Sequence, residues 1–215
     1  MSNYRVINPA GLERRQIYRL MVGSIVPRPI AWVSTISKAG NHNLAPFSFF
    51  TCVCHYPPMI SLSVGVRGQD YKHTTQNILE TQGFVVHAVT NGLEEQMNIC
   101  SDDFPAGVSE FEMAGLTPVP SDLVPAPRIA EAWLAMECRL NTMLTLGDPA
   151  HPTHLVIGEV LRWHVREEVT AEGGKYIDPV KLQPVGRLAG NHYCRTQDVF
   201  FMQRPDRKPS QLAPS

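Results

Sequence analysis

The chain has 215 residues, of which 43% are hydrophobic, so it is long enough to bury a sizeable core. Its 19 basic and 20 acidic residues nearly balance, which argues against a surface for nucleic acid or an anionic membrane. No apolar run approaches the roughly 20 residues that cross a bilayer, and no signal peptide is evident. We therefore expect one cytoplasmic domain over residues 1–215, with a peripheral arm at residues 1–11 and a peripheral tail at residues 205–215.

The first predicted elements are a short helix and an apolar hairpin. Leu12 to Met21 favours a helix with its apolar residues turned inward. Residues 27–36 favour a strand, Lys38 to Asn41 a turn, and residues 43–50 a second extended run. Such a hairpin suits a flat, partly polar ligand, although its polar residues also fit a role in the turn alone. The side chains in question are Trp32, Ser34, Thr35, Asn43, Phe47 and Ser48.

The next predicted elements are a strand and a helix with a polar first turn. Residues 59–66 alternate as a strand, and Asp70 is a plausible N-cap for a helix over residues 71–81. The first turn of that helix carries Lys72 and Thr74, and Arg67 lies just before it. Free backbone N–H groups and a partial positive charge at a helix start favour phosphate. The alternative is an ordinary solvated first turn.

The rest of the chain is predicted to consist mainly of strands. Residues 84–90 indicate a buried strand, residues 133–145 and 154–160 two further strands, and residues 199–202 a last one. Residues 101–127 are rich in loop signals. Because few helices separate the strands, an antiparallel barrel is favoured over a doubly wound sheet. A Gly-x-Gly-x-x-Gly fingerprint for NAD is absent from the sequence.

Cysteine and histidine spacing predicts no metal centre. The five cysteines fit no metal-finger pattern and are predicted to be mostly buried, reduced thiols. His151 and His154 lie close in sequence but lack a third ligand at suitable spacing.

Four patches together resemble one known family. They are residues 27–35, 43–50, 72–78 and 186–193, and they span the chain from about Tyr18 to Pro205 in the family's order. The sequence resembles the flavin reductase-like family of FMN-binding split barrels. That family includes flavoredoxins and the reductase components of two-component monooxygenases.

The resemblance implies a fold and a function. The fold would be mainly β, an antiparallel Greek-key split barrel with a few peripheral helices, assembled as a homodimer. The function would be an NAD(P)H:flavin oxidoreductase that binds FMN, with FAD as an alternative, and supplies reduced flavin to a partner oxygenase or another acceptor. NAD(P)H would bind only transiently. The alternative is an FMN-binding electron carrier without NAD(P)H turnover, and a pyridoxamine-phosphate-oxidase type of barrel is a third, weaker fit.

The resemblance also implies roles for particular residues. The phosphate would bind at the start of the predicted helix, to Arg67, Lys72, Thr74 and Asn77. The polar edge and ribityl chain of the flavin would contact Arg28, Ser34, Thr35, Asn43, Ala45 and Ser48, with Trp32 or Phe47 packing against it. Arg187, Tyr193 and His154 would shape the face where the electron donor lands, and His154 is the catalytic candidate. In the family the region that corresponds to residues 101–127 often lies over the binding cleft, so the resemblance implies a lid there. The chain departs from the family at His73, where the family commonly has aspartate.

Overall fold

The computed structural model describes residues 3–105 and 107–203. The helices are α1 (Arg14–Ser24), α2 (His73–Thr81), α3 (Glu94–Ile99), α4 (Glu110–Met113) and α5 (Pro179–Leu182), with a 3-10 turn at Glu167–Val169. The strands are β1 (Arg28–Pro29), β2 (Ala31–Ile36), β3 (His42–Phe47), β4 (Phe50–His55), β5 (Pro58–Arg67), β6 (Asp70–Tyr71), β7 (Gly83–Ala88), β8 (Pro118–Val119), β9 (Arg128–Ile129), β10 (Leu134–Leu146), β11 (Thr153–Val165), β12 (Thr170–Ala171), β13 (Tyr176–Ile177), β14 (Val185–Arg187) and β15 (Tyr193–Arg195).

The main sheet is antiparallel and open. Its strand order is β3-β2-β7-β10-β11-β5-β4, and β6 pairs with β5 beside this path. A separate sheet joins β1, β14 and β15, so the start of the hairpin meets the late glycine-rich segment. Since the path ends at β3 on one side and β4 on the other, the barrel formed by the described strands is split. The mainly β split-barrel architecture implied by the resemblance is confirmed.

A buried cluster fills the space that the main sheet encloses. Phe84 on β7 packs there with Leu62, Val64 and Val156, and all four side chains have no solvent exposure. The Phe84 ring packs directly against Gly158 on β11. Any larger residue would clash there, because a Cβ at position 158 would overlap the ring. The alternating apolar residues of β5 therefore pack into the interior of the sheet.

The predicted hairpin is confirmed, with one interruption. β2 and β3 pair from Ala31 with Phe47 to Ile36 with His42, around the predicted turn. The second extended run is not continuous, because β3 ends at Phe47 and β4 begins at Phe50. The chain therefore turns at Ser48 and crosses from one edge of the sheet to the other.

Two of the predicted local features are wrong. Asp70 is not the N-cap of α2, because it pairs with Arg67 in the β5–β6 ladder and the cap residue is Lys72. Gly68 has φ 62°, so a tight turn forms there and the chain re-enters the sheet before the helix starts. Residues 199–202 form no strand, and the last strand is β15, which pairs with β14.

Burial also differs from expectation at the helix and the cysteines. In α1 only Val22 is buried, whereas Leu20 and Met21 are 39% and 49% exposed. Cys52 and Cys54 on the edge strand β4 are exposed, in contrast to the expected burial. No helix in the described ranges is long and apolar enough to span a bilayer. The predicted tail at residues 205–215 lies outside the described residues, as do residues 1 and 2 of the arm.

Candidate functional site

A small cavity of about 70 Å³ lies at the start of α2. Lys72 is the N-cap residue and has an extended backbone, so the helix begins at His73 with its first N–H groups free of intrahelical partners. The other walls come from β3, the end of β5, the loop after α3, and α4. The side chains that matter below are Asn43, Arg67, Lys72, His73, Thr74 and Glu110.

A buried polar network supports Thr74 in this cavity. The Asn43 side-chain amide donates to Thr35 Oγ1 at 3.2 Å and to Thr74 Oγ1 at 3.1 Å. The Asn77 amide donates to the same Thr35 oxygen at 3.0 Å. Because Thr74 accepts from Asn43, its own hydroxyl hydrogen is left to donate elsewhere. Thr74 is 1% exposed and lines the cavity, so the network presents a hydrogen-bond donor to a ligand there.

Charges of both signs surround the same cavity. Arg67 donates to the carbonyl oxygen of Phe104 at 3.3 Å and lies 3.7 Å from the Asp103 carboxylate. Glu110 is 6% exposed, and its Oε2 accepts the Leu44 N–H at 3.0 Å. Burial raises the pKa of the Glu110 carboxyl, although the Leu44 N–H, the backbone N–H of Glu110 itself and the nearby His73 oppose that shift. The cavity thus combines anion-binding groups with a buried carboxyl group.

A larger cavity of about 390 Å³ adjoins the small one, and the two share Pro46 and Ser101. Arg28 is 6% exposed and holds one wall. Its Nη1 donates to the carbonyls of Val22 and Ile25 at 2.8 and 2.7 Å, and its Nη2 donates to that of Leu188 at 3.0 Å. The guanidinium therefore joins the end of α1 to the turn after β14.

The far wall of the larger cavity is formed by the β14–β15 hairpin. Arg187 donates to the Tyr193 hydroxyl, and its guanidinium carbon lies 4.4 Å from the centre of the Tyr193 ring. Arg187 also donates to the Gly190 carbonyl. A wider groove of about 700 Å³ continues from this wall towards α3 and shares Ser101, Arg187, Asn191 and Tyr193 with the cavity.

The structure brings most of the proposed cofactor-binding residues to these cavities. The small cavity gathers Asn43, Ala45, Phe47, Arg67, Lys72 and Thr74, and the larger one gathers Arg28, Ser48, Arg187 and Tyr193. Thr35 and Asn77 stand behind Thr74 in the polar network.

Three of the proposed residues lie elsewhere. Trp32 is fully buried in the hydrophobic core, and Ser34, also fully buried, donates to the carbonyl of Pro127. This face of β2 is covered by α3 and α4, through Met97 and Phe111, and by the loop before β9. His154 is 3% exposed, with its ring 4.8 Å from that of Tyr71 and its Nδ1 3.3 Å from Thr145 Oγ1. Burial lowers the pKa of His154, and this residue is not among those that line the two cavities.

Sequence reasoning missed Glu110 and Ser101. Glu110 lies in the predicted loop-rich stretch, and its contact with Leu44 joins residues 66 positions apart. Its one sequence signal is its place directly before the apolar Phe111. Ser101 lines both cavities and lies in the stretch that the family resemblance implies to be a lid. A single serine after a helix has no sequence pattern that indicates a binding site.

Three metal-type ligands meet outside these cavities. Side-chain ligand atoms of Asp122, Glu137 and His164 lie within 4.8 Å of one another. All three groups are already bonded. Glu137 accepts the N–H groups of Asp122 and Leu123 at 2.9 and 2.6 Å and lies 2.6 Å from His164 Nε2, while Asp122 pairs with Arg162 at 2.6 Å. This arrangement ties the loop before β9 to the barrel.

Comparisons with known proteins place the chain among flavin-related proteins. Residues 22–182 match the model of the flavin reductase like domain. The fold superposes on nitrilotriacetate monooxygenase component B from Bacillus cereus with a TM-score of 0.90 and 35% identity, over 94% of this chain and 100% of that one. It also superposes on 2-nitrobenzoate 2-nitroreductase NbaA from Pseudomonas fluorescens. That TM-score is 0.86 and the sequence identity is 34%, over 98% of this chain and 99% of that one. The protein BH2278 from Halalkalibacterium halodurans is 41% identical over 93% of this chain and 96% of its own length. The chain belongs to the flavin reductase-like family.

Proposed function

We propose that the chain binds FMN across the two adjoining cavities and works as an NAD(P)H:flavin oxidoreductase, which supplies reduced flavin to a partner oxygenase or another acceptor. The observation that carries the proposal is the pairing of an anion-binding helix start with a larger cavity that shares Pro46 and Ser101 with it. FMN has the matching two parts, a phosphate and a large flat ring. FAD remains the alternative flavin.

The residues fit the phosphate of such a ligand. The free N–H groups at the start of α2 and the Thr74 hydroxyl donate hydrogen bonds, and Lys72 and Arg67 supply positive charge. Asn43, Ala45 and Phe47 line the small cavity and Ser48 lines the larger one. The ribityl chain and the polar edge of the ring would bind along these residues.

A bound flavin accepts a hydride from a nicotinamide, so the protein has only to bind and orient the two cofactors and exclude competing reactions. Arg187 and Tyr193 line both the larger cavity and the wider groove. We assign to them the placement of the transient NAD(P)H. Two similar proteins are named as a monooxygenase component and as a nitroreductase, and both names support a redox role.

The test is the reduction of bound FMN by NADH or NADPH in the absence of oxygen. The proposal predicts that the flavin absorbance band bleaches within the mixing time of seconds and that one of the two donors is preferred. A flavin that binds but is not bleached by either donor would favour the alternative, an electron carrier reduced by another protein.

A catalytic role for His154 rests on the family resemblance alone. His154→Asn tests it. A catalytic role predicts a slower flavin reduction with an unchanged Kd for FMN and an unchanged free energy of unfolding. A loss of unfolding free energy with a normal reduction rate would assign His154 to the structure instead.

We also propose a cytoplasmic homodimer in which residues 1–215 form one domain. Large apolar side chains remain exposed on the isolated chain, among them Ile25 in the segment after α1 and Phe200 and Phe201 near the end of the described chain. Surfaces of this kind mark protein contacts. A molar mass in solution near the 24.0 kDa of a single chain would contradict the dimer.

A further inference from the structure

The small cavity at the start of α2 contains a carboxyl group that phosphate binding does not explain. Glu110 is 6% exposed and lines the cavity together with Lys72 and Thr74. Its Oε2 accepts the Leu44 N–H. A buried carboxylate placed beside a site for an anion is stabilised by a cation or by a proton.

The groups around Glu110 come from every element that packs against it. The cationic or titratable ones are His42 on β3, Arg67 at the end of β5, and Lys72 and His73 at the start of α2. The acidic ones are Asp102 and Asp103 in the loop after α3, and Glu112 on α4 itself. Cys100 stays neutral, because burial raises the pKa of its thiol to about 12. Arg67 lies 3.7 Å from the Asp103 carboxylate, and His73 is the group whose charge favours the ionised form of Glu110.

His73 stands where the family commonly has aspartate, and it lines the same cavity as Glu110. Its positive form favours the ionised Glu110. A phosphate monoester brings about −1.5 to −2 charges at neutral pH, and it would compete with Glu110 for the same cations. Two anions in one small cavity repel each other, so one of them must give up its charge.

We propose that Glu110 takes up a proton when the phosphate of FMN binds, and that it thereby sets the charge selectivity of this cavity. This inference rests on the proposed function. The proton comes from solvent and returns to it when the ligand leaves. The protonated carboxyl then has an O–H that donates to a phosphate oxygen, and Oε2 keeps its bond from Leu44. Glu110 thereby disfavours phosphate at high pH and permits it at lower pH.

The test compares FMN with riboflavin, which has the same ring and ribityl chain but no phosphate. Kd values are measured by flavin fluorescence from about pH 6 to about pH 8.5 for the wild type and for Glu110→Gln, whose amide oxygen still accepts the Leu44 N–H. At about pH 8.5 Glu110→Gln should bind FMN about tenfold more tightly than the wild type, and this difference in Kd should shrink as the pH falls. Riboflavin should bind both proteins equally. The second ionisation of the phosphate is common to both proteins, so it cancels in the comparison.

Calorimetry in two buffers of different ionisation enthalpy counts the protons directly. The wild type should take up more protons per FMN at high pH than Glu110→Gln does. His73→Asn supplies an independent variant, which should weaken FMN binding several-fold towards acid pH, where the imidazole is charged, and leave riboflavin binding unchanged.

Two results would overturn the inference. One is the same FMN-to-riboflavin affinity ratio in the wild type and Glu110→Gln at every pH. The other is an equal loss of affinity for both flavins in the variant, which would make Glu110 a structural group or an acceptor for ribityl hydroxyls. If the wild type never prefers FMN to riboflavin at any pH, the proposed phosphate site fails, and that failure is distinct from the two others.

Discussion

The side-chain amide of Asn43 on β3 donates to the hydroxyl oxygen of Thr74 on α2 at 3.1 Å, between residues 31 positions apart. This bond fixes the start of the helix against the edge of the sheet. Because the Thr74 oxygen already accepts this bond, its hydroxyl hydrogen remains available to donate to a ligand. The free hydroxyl hydrogen, the helix N–H groups and Lys72 then converge on one small cavity.

Thr74→Val should weaken FMN binding about 10- to 100-fold, since a hydrogen bond to a charged group is worth about 1.5–3 kcal/mol. Riboflavin binding should change far less, because the removed donor faces the phosphate. Titration of both flavins by fluorescence measures the effect. An equal loss for both ligands would mean that the substitution disturbs β3 rather than the phosphate contact.

Thr75→Val is the matched control on the same helical turn. The Thr75 side chain is fully buried, and its Oγ1 has no hydrogen-bond partner in the described structure. Valine has nearly the same shape without the unsatisfied hydroxyl. The free energy of unfolding should stay constant or rise by about 1 kcal/mol, and FMN affinity should be unchanged. A clear loss of stability in denaturant unfolding would reveal a partner for this hydroxyl.

Arg28→Lys should lower the free energy of unfolding by about 2–3 kcal/mol. The guanidinium donates to the Val22, Ile25 and Leu188 carbonyls at once, and a single ammonium group does not reproduce this fork. Arg15→Lys on the exposed face of α1 is the control and should change stability by less than about 0.5 kcal/mol. Equal unfolding midpoints for the two variants would show that the bonds of Arg28 contribute little.

His87 predicts how stability responds to acid. Burial lowers its pKa from 6.5 to about 4, and the ring holds two backbone contacts, with Trp32 O at 2.9 Å and with the Ile129 N–H at 3.0 Å. Below pH 6.5 the unfolded chain binds a proton at this residue and the folded chain does not, so stability is lost as the pH falls towards about 4. The loss reaches about 3 kcal/mol for this shift.

His87→Gln provides the comparison, because its amide has both a donor and an acceptor and does not titrate. Its unfolding free energy should vary less between those two pH values than that of the wild type. Parallel curves for the two proteins would place the acid sensitivity elsewhere in the chain.

Local patterns and the family resemblance predicted much of this molecule. The alternation of residues 59–66 produced β5, and the turn signals after Ile36 produced the β2–β3 hairpin. The helix α2 starts at His73 and not at the predicted residue 71. The turn at Gly68 lets Asp70 and Tyr71 pair with β5 first, and a helix-capping pattern does not reveal this pairing. Alternation alone does not predict that Trp32 is buried, because Met97 on α3 and Phe111 on α4, both distant in sequence, cover its face of β2.

The parts that sequence did not predict depend on contacts between distant segments. Glu110 reaches Leu44 across 66 positions, and Arg28 reaches Leu188 across 160. Neither pair has a local signature, since each forms only after the sheet has brought its segments together. The exposed Cys52 and Cys54 follow from the edge position of β4, which depends on the strand order rather than on any local pattern.

The most direct test of the account is the ratio of the Kd values of riboflavin and FMN for the wild-type protein near neutral pH. A phosphate held by the start of α2, Lys72 and Thr74 predicts that FMN binds at least about tenfold more tightly than riboflavin, and that excess inorganic phosphate competes with FMN but not with riboflavin. Equal affinities, with no competition by phosphate, would contradict the account.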